Sequence, residues 1–509
     1  MLSRRQGSFA GVLSLATSLA VASFVAALMR VDGPIVVVGN RFIDATPKWL
    51  KNFAVDTFGT SDKSVLLAGI TVVLIVAAAA LGIAACQRFW AAVAGTAVLG
   101  VVGALAATTR TGSQGGDWFP PMVGALAGLG AFWALLRRPR VSTGPAESPL
   151  AFDRRRFLVG AVALGATSGG LALVGSAVRN GRTKVVTARR TASTSSLPAP
   201  VSPAKAVPDS ATAVGQSEPF LTPVADFYRI DTALSIPQID ASTWSMVIKG
   251  MVDKPLRLTY ADLLSRPMIE RVITISCVSN EVGGNLIGNA RWQGVPLVDL
   301  LKEAGVHKDA SQVASRSQDG WTCGFPTALA LDGRDAMIAV AMNGEPLNAR
   351  HGFPARIIVP GIYGYVSATK WLTEINLTTL EDFDGYWIPR GWAKEAPIKT
   401  QSRIDVPKRS TPVKAGKTPV AGVAWAMHRG IKMVELQIDG GAWVTATLAE
   451  EPTLDAWRQW SYAWDATPGK HRISVRATDG AGIVQTSESA PPDPDGATGW
   501  HAITVNVEA

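Results

Sequence analysis

The pattern of apolar and polar positions changes character twice along this 509-residue chain. Apolar residues run almost unbroken over 7–29, 65–86, 89–109, 118–136 and 157–178. Each stretch has about the 20 residues a helix needs to cross a bilayer, so residues 1–180 are predicted to be an α-helical membrane bundle of five spans. The pattern then disappears in "TARRTASTSSLPAPVSPAKAVPDSATAVGQSEP". Ser, Thr, Ala and Pro offer no apolar face to bury, which predicts a flexible linker over 181–216. From Phe220 the pattern returns in shorter units. "STWSMVIKGMV" alternates as a strand does, "LTYADLLSR" reads as a short capped helix, and "RVITISCVS" is β-branched like a buried strand. "WQGVPLVDLLKEAGV" reads as a loop followed by a helix bearing Leu297, Leu300 and Leu301. Residues 217–406 are therefore predicted to be a mixed α+β domain.

Strict alternation marks the remainder, 407–509. Turns at Asp439-Gly440-Gly441, Pro468-Gly469 and Asp479-Gly480 divide it into strands, which predicts an immunoglobulin-like β-sandwich. Trp425, Trp443, Trp457, Trp460 and Trp464 are read as core residues of that sandwich rather than as a ligand cage.

Composition sharpens the first third. Hydrophobic residues make up 47% of the chain and the mean hydropathy is +0.19, high for a soluble protein, with the excess in the apolar stretches. The net charge is +9. Arg4 and Arg5 precede the first stretch, Arg88 lies between the second and third, and Arg137, Arg138, Arg140, Arg154, Arg155 and Arg156 lie between the fourth and fifth. The positive-inside rule then puts the N-terminus in the cytoplasm and everything after residue 178 outside, a multi-pass cytoplasmic-membrane protein with an extracytoplasmic domain. Arg41, Lys48, Lys51 and Lys63 run against this orientation in the loop 30–63. Basic residues at membrane edges and in the linker suit an anionic membrane surface; no nucleic-acid motif occurs, and no nucleic-acid partner is expected. The fifth stretch enters as "FDRRRFLVGAVALGATSGGLALVGSAV", which resembles a twin-arginine export signal, the route for a domain that folds before crossing. The plainer alternative is a topological anchor.

Only three cysteines are present, and Cys277 ends a buried strand where a loop rich in Gly and Asn begins. A rigid support beside a permissive backbone suits a thiolate that ligates a metal or attacks a substrate. Three other roles compete: an inert buried thiol, a disulfide with Cys323, or a nucleophile served by His307 or His351.

Downstream, "AMNGEPLNARHGFPARIIVPGIYGYVSATKWL" follows "CVSNEVGGNLIGNARWQGVPLVDLL". In this order the two motifs resemble the catalytic domain of the sulfite oxidase family of molybdopterin-dependent oxidoreductases, over roughly residues 217–509. The resemblance implies a molybdenum–molybdopterin cofactor with Cys277 as the metal thiolate. It implies His351, Arg356 and Lys370 as the groups holding the pterin and its phosphate, with Asn280 beside them. "DFYRID" is similar to the family's early cofactor-contacting segment, which assigns Asp226 and Tyr228 to the cofactor and Arg229 to the substrate side. The expected activity is two-electron oxo transfer on a small substrate, and the sandwich resembles the family's dimerisation domain, implying a possible homodimer. Two positions depart from the pattern: Glu281 follows Asn280 where basic residues are usual, and Trp392 in "YWIPRGW" stands about where those enzymes have a tyrosine near the metal. A substrate less charged than sulfite, such as a sulfoxide or another small oxo compound, is therefore expected. No C-x-x-C-H motif occurs and all five histidines lie after residue 300, so haem held by histidine pairs in the helices is excluded. Electrons should pass to a separate partner, a cytochrome or the quinone pool. The alternative of another class is a non-catalytic, membrane-anchored scaffold built on a degenerate cofactor fold.

Overall fold

The computed structural model describes residues 3–47, 50, 53, 57–58, 62–110, 112–113, 115–136, 149–193, 197–211, 219–409 and 411–509. These form two units, Met1–Ala188 with Thr232–Ile236, and Arg189–Asp231 with Pro237–Ala509.

The first unit is helical: α1 (Arg4–Met29), α2 (Pro34–Ala45), α3 (Asp62–Gln87), α4 (Trp90–Thr109), α5 (Phe119–Leu136) and α6 (Pro149–Ser193). Five helical segments, Arg4–Met29, Lys63–Gln87, Trp90–Thr109, Phe119–Leu136 and Phe157–Gly181, are long and apolar enough to cross a membrane. Their outward positions are apolar: Val76, Leu126, Val162 and Leu173 are each more than 60% exposed. Their inward positions are small. A methyl group on Gly11 would come within 1.9 Å of the Ala78 carbonyl oxygen, so α1 and α3 approach as closely as backbones allow. Helix α2 occupies a stretch expected to be loop. Gly33 in extended conformation and Pro34 in the first turn start it, because proline's fixed φ suits that position and its missing N–H costs nothing there. At the ends of α4 and α5, Arg110 bridges Asp32 at 2.6 Å and Asp117 at 3.0 Å, and Ser235 donates to Asp32 at 2.7 Å.

The second unit holds the mixed domain and the β-rich region. Strand β1 (Ser245–Gly250) pairs antiparallel with β2 (Leu256–Thr259) and parallel with β10 (Leu372–Thr378), which continues through β5 (Gln312–Ser317) to β6 (Thr322–Pro326). A second sheet runs β3 (Ile269–Ser276), β4 (Ile287–Pro296), β7 (Met337–Met342) and β8 (Glu345–Pro346), with β9 (Arg356–Ile358) also on β7. Thr259 and Asp262 form a reciprocal capping box that starts α7 (Tyr260–Leu264). Leu297, Leu300, Leu301 and Ala304 form the buried stripe of α8 (Leu297–Ala304), which Gly305 ends in the left-handed region at φ 67°. "WQGVP", expected to be loop, is instead the end of β4. Pairing with β3 on one side and β7 on the other satisfies its backbone, and a register shift at Gln293/Gly294 accommodates the glycine.

The β-rich region has two sheets sharing one core. One contains β11 (Gln401–Val406), β13 (Gly416–Trp425), β17 (Arg458–Ala466) and β16 (Thr447–Leu448). The other contains β12 (Val413–Lys414), β19 (His501–Glu508), β18 (Gly469–Asp479), β14 (Ile431–Ile438) and β15 (Trp443–Thr445). Trp425, Trp457, Trp460 and Trp464 are buried as expected. Trp443 is not. It lies half-buried, its ring 4.9 Å from that of Trp500 and 4.1 Å from the Arg476 guanidinium, because short edge strand β15 leaves nothing to cover it.

Residues expected to be a flexible linker divide. Residues 181–193 continue α6, while 197–211 lie along the mixed domain. Val201 N–H donates to Met268, Glu270 N–H to Ser202 and the Gln293 amide to Pro198, at 2.6–2.8 Å, and Leu197, Ala204 and Val207 pack on the core. The few apolar residues among the prolines are enough to dock a strap. Residues 194–196 and 212–216 lie outside the described residues.

Asn289, fully buried in β4, accepts from Thr274 Oγ1 at 3.0 Å and donates to the Phe220 carbonyl at 2.8 Å. Asn289→Leu should lower stability by about 1–3 kcal/mol, the cost of leaving a buried hydroxyl unpaired. A lower urea midpoint of tryptophan fluorescence, with helix content unchanged, checks this.

Candidate functional site

Cys277 follows directly on β3, and its loop is pinned by short bonds. Cys277 N–H donates to the Leu286 carbonyl at 2.9 Å, Leu286 N–H to Asn280 Oδ1 at 2.8 Å, and Asn280 N–H to the Cys277 carbonyl at 3.1 Å. The side-chain oxygen of Asn280 is thus spent on holding the loop. The β-rich region holds it from outside: Arg403 donates to the Gly284 carbonyl at 2.8 Å, and a methyl on Gly283, at φ +78°, would meet the His501 ring at 2.2 Å. Burial pushes the Cys277 thiol up, while Ser279 supplies hydrogen bonds that favour the thiolate.

Segment 224–231 forms a second wall. Phe227 is buried with its ring stacked on Tyr228 at 5.3 Å, and meets Trp292 and His351 edge-on at 5.8 and 5.7 Å. The Tyr228 phenol is pushed up, first by burial and then by the charge on Cys277, which places phenol and thiol within electrostatic reach of each other.

The third wall is cationic. Asn348 caps the short turn Ala349–His351, and His351 turns Nε2 to the Val224 carbonyl at 3.0 Å. Burial, then the neighbouring Arg356, push its imidazole down to about 4, so it is neutral at physiological pH. Arg356 is 5% exposed. Its guanidinium donates to the carbonyls of His351 at 3.2 Å and Ala368 at 3.5 Å, lies 5.0 Å from the Trp292 ring, and leaves Nε without a hydrogen-bond partner. Burial pushes it down to about 10. Lys370 Nζ bonds Asp231 at 2.7 Å with both side chains nearly buried, and burial pushes the amine down to about 8.

The structure therefore gathers Cys277, Asn280, Tyr228, His351, Arg356 and Lys370 around one place. Arg229 stands at its margin, 40% exposed, with Nε 3.7 Å from Asp231. Asp226 is exposed and its carboxylate joins none of these bonds, because the turn that begins at Pro223 directs Phe227 inward instead. Sequence reasoning missed Asp231, although it stands in "DFYRID" five residues after Asp226, and it missed Tyr363, whose phenol burial pushes up to about 12 with a contribution from Cys277. Nothing in the local pattern around Tyr363 distinguishes it from a core tyrosine.

Two competing roles for Cys277 fall. Both it and Cys323 are free thiols, and Cys323 in β6 faces the Thr369 and Ser315 hydroxyls at 3.1 and 3.3 Å, so there is no disulfide. Neither histidine bonds the Cys277 sulfur: His351 Nε2 faces Val224, His307 pairs with Asp253 at 3.2 Å in a half-exposed position, and the thiol's hydrogen bonds come from Ser279.

The donor set fits a phosphorylated, sulfur-rich metal cofactor. Lys370 and Arg229 share one carboxylate, Asp231, and Arg356 bonds only backbone carbonyls; the neighbouring Asp319 is pushed up, chiefly by burial. A buried guanidinium with no carboxylate and an unpaired N–H, next to a paired lysine, calls for an anion with several oxygens. A thiolate beside them suits a soft metal.

Comparison with known proteins agrees. A family model described as an oxidoreductase molybdopterin binding domain matches residues 233–387. The uncharacterized oxidoreductase YuiH of Bacillus subtilis (strain 168) is 36% identical over 153 residues, covering 30% of this chain and 74% of that protein. The mitochondrial sulfite oxidase of Homo sapiens is 28% identical over 324 residues, 54% of this chain and 59% of the relative, so the chain spans less than two thirds of that relative's length. Among solved structures, the sulfane dehydrogenase SoxCD from Paracoccus pantotrophus aligns with TM-score 0.49 and 25% identity, over 57% of this chain and 84% of that one.

The neutral His351 sets an acid limit. Its imidazole protonates near 6.5 in the unfolded chain and near 4 when folded, so its stabilisation is complete above about pH 6.5 and lost as pH falls toward 4. The loss is at most about 3 kcal/mol. Melting temperature should fall over that window in the wild type and less steeply in His351→Gln; parallel slopes would refute the assignment.

Proposed function

Since the chain belongs to the sulfite oxidase family of molybdopterin-dependent oxidoreductases, we propose that residues 217–406 hold the cofactor and carry out two-electron oxo transfer on a small substrate. The observation that carries this reading is the buried, anion-deficient pair Arg356 and Lys370, joined to the Cys277 thiol through Tyr228, which feels both Cys277 and Arg356. Cys277 is assigned as the metal thiolate; Ser279's hydrogen bonds favour its deprotonated form, and metal ligation would complete that preference. Arg356 supplies a planar fork to the phosphate and Lys370 a point charge. His351, fixed by Val224, is assigned to the pterin as a neutral group, and Asn280 keeps the thiolate loop in register. When bound, the cofactor supplies a two-electron metal centre able to give or take an oxygen atom. The protein orients the substrate and excludes water: Arg229 offers a half-exposed cation at the margin, and the Tyr228 and Tyr363 phenols, both held protonated, can donate hydrogen bonds to a substrate oxygen. Those phenols stand in for the hydroxyl that Trp392 lacks. The substrate class proposed is a small, weakly charged oxo compound such as a sulfoxide.

The helical unit is read as a five-span anchor, supported by the length and apolar outward residues of its helices, with its orientation taken from Arg4, Arg5, Arg88 and Arg154 to Arg156. The domain then lies on the extracytoplasmic side, delivered through the "RRRFL" export signal. The β-rich region is read as an immunoglobulin-like dimerisation module, and a separate redox partner completes the cycle.

Detergent-purified protein from a host that makes the cofactor should contain equimolar molybdenum and pterin. Cys277→Ser should abolish turnover while retaining pterin, Arg356→Leu should lose pterin, and Cys323→Ser should be mild. Absence of molybdenum from the wild type would overturn the reading. Changing Arg154 and Arg155 to lysine should leave residues 220–509 inaccessible to protease added outside the cell; unchanged cleavage would reject the export signal.

A further inference from the structure

The aromatic residues downstream of Cys277 are not used in holding the cofactor, yet they form a continuous series. The turn of helix Gly364–Ser367 lies against the end of β3: a methyl on Gly364 would stand 3.7 Å from the Ser276 carbonyl oxygen and 4.0 Å from the Tyr228 hydroxyl. Tyr365 in that turn is 8% exposed, its hydroxyl bonded to the Ala393 carbonyl at 2.5 Å. Its ring lies 5.7 Å from that of Trp392, which lies 6.3 Å from Trp387, which lies 5.0 Å from Tyr386. Trp392 and Trp387 are part-exposed. The series thus begins at the neighbour of Gly364, which lies beside the residue preceding Cys277, and reaches the surface at its two tryptophans, with buried Tyr386 behind them.

The charge around its outer end is acidic in excess. Segment 381–395, which carries both tryptophans, contains Glu381, Asp382, Asp384 and Glu395 against Arg390 and Lys394. Lys394 is paired with Asp384, and Arg390 lies over the Tyr386 ring at 3.7 Å. Ala393 N–H donates to the Pro494 carbonyl, which brings Asp493 and Asp495 alongside, the latter paired with Lys399 at 2.8 Å. This anionic rim belongs to a chain of net charge +9, but the positive excess lies elsewhere: residues 217–509 hold 28 Lys and Arg against 32 Asp and Glu.

Resting on the catalytic reading above, we propose that the Trp387–Trp392 face is the docking site of a small, cationic, one-electron carrier protein. An apolar aromatic centre with a charged rim is the usual anatomy of a transient interface, and the rim's sign selects a basic partner. Tunnelling weakens exponentially with distance, so contacting rings leading toward Cys277 favour exchange at this face. When a substrate gains an oxygen atom from water, two protons and two electrons are released, and two oxidised carriers take one electron each; in the reverse direction two reduced carriers and two protons supply them and water is formed.

The test uses full-length protein in detergent and two c-type cytochromes as probes, one of basic and one of acidic isoelectric point. The basic probe should bind, with affinity falling at least about tenfold between roughly 20 and 200 mM salt, as screening predicts. Glu381→Lys/Glu395→Lys should weaken it about tenfold or more at low salt; both residues are exposed and stand outside the cofactor site. Trp387→Ala should weaken it at both salt concentrations. Failure of the basic probe to bind, undiminished binding to the double variant, or tighter binding of the acidic probe would overturn the proposal, as would self-association through this face measured by sedimentation. Molybdenum content and turnover with ferricyanide are read on the same preparations. If both stay intact while docking fails, only the docking site falls; if molybdenum is absent, the catalytic reading falls, and the binding measurement still judges the surface.

Discussion

A buried guanidinium without a carboxylate organises the mixed domain. Arg356 is nearly inaccessible to solvent, pushed down by burial, and bonded only to two backbone carbonyls. An ion taken out of water costs several kcal/mol unless paired, and two carbonyls and a tryptophan face offset part of that cost. The remainder is why the surroundings are specialised. Trp292 is fully buried with its face to the guanidinium, His351 is held neutral so that it adds no second charge, and Asp231 serves Lys370 and Arg229. A bound phosphate would complete the balance, so folding and cofactor capture are linked by mass action.

Around that charge the chain uses its most rigid elements. Cys277 stands at the end of a strand paired along its length, and the loop beyond is tied back by Asn280 and by Arg403 from the β-rich region. The same region reaches β3 through Trp457, whose N–H donates to Thr274 Oγ1 at 2.8 Å and whose indole donates to the Phe220 carbonyl at 2.9 Å. The β-rich region therefore supports the candidate site as well as folding beside it. Substitutions at Arg403 or His501 would be felt at Cys277 through the loop, with no change to the thiol itself.

Charge is divided along the chain as sharply as hydropathy. Residues 1–216 carry 21 Lys and Arg against 8 Asp and Glu, while the remainder is mildly acidic. A single net charge conceals both facts. The basic part suits an anionic membrane surface, and the acidic part can attract a basic soluble protein to the aromatic face without competing with it.

The sequence by itself determined the elements whose signal is local. Apolar runs marked the five long helices, a Thr-x-x-Asp box marked the short helix at Tyr260, β-branched residues marked β3, and alternation marked the last strands. The order of two motifs singled out Cys277, His351, Arg356 and Lys370, because each stands in a distinctive local string. Contacts between distant segments required the tertiary structure. Asp231 pairs with Lys370 across 139 residues, a partnership no periodicity encodes. Asp226 and Asp231 look alike in "DFYRID", and only the turn at Pro223 decides which faces inward. "WQGVP" reads as loop until strands on both sides claim it, and the proline-rich stretch reads as tether until the core offers a surface to its few apolar residues. Local propensity is a property of neighbours in sequence, whereas burial, which sets every shifted pKa at the site, is a property of neighbours in space.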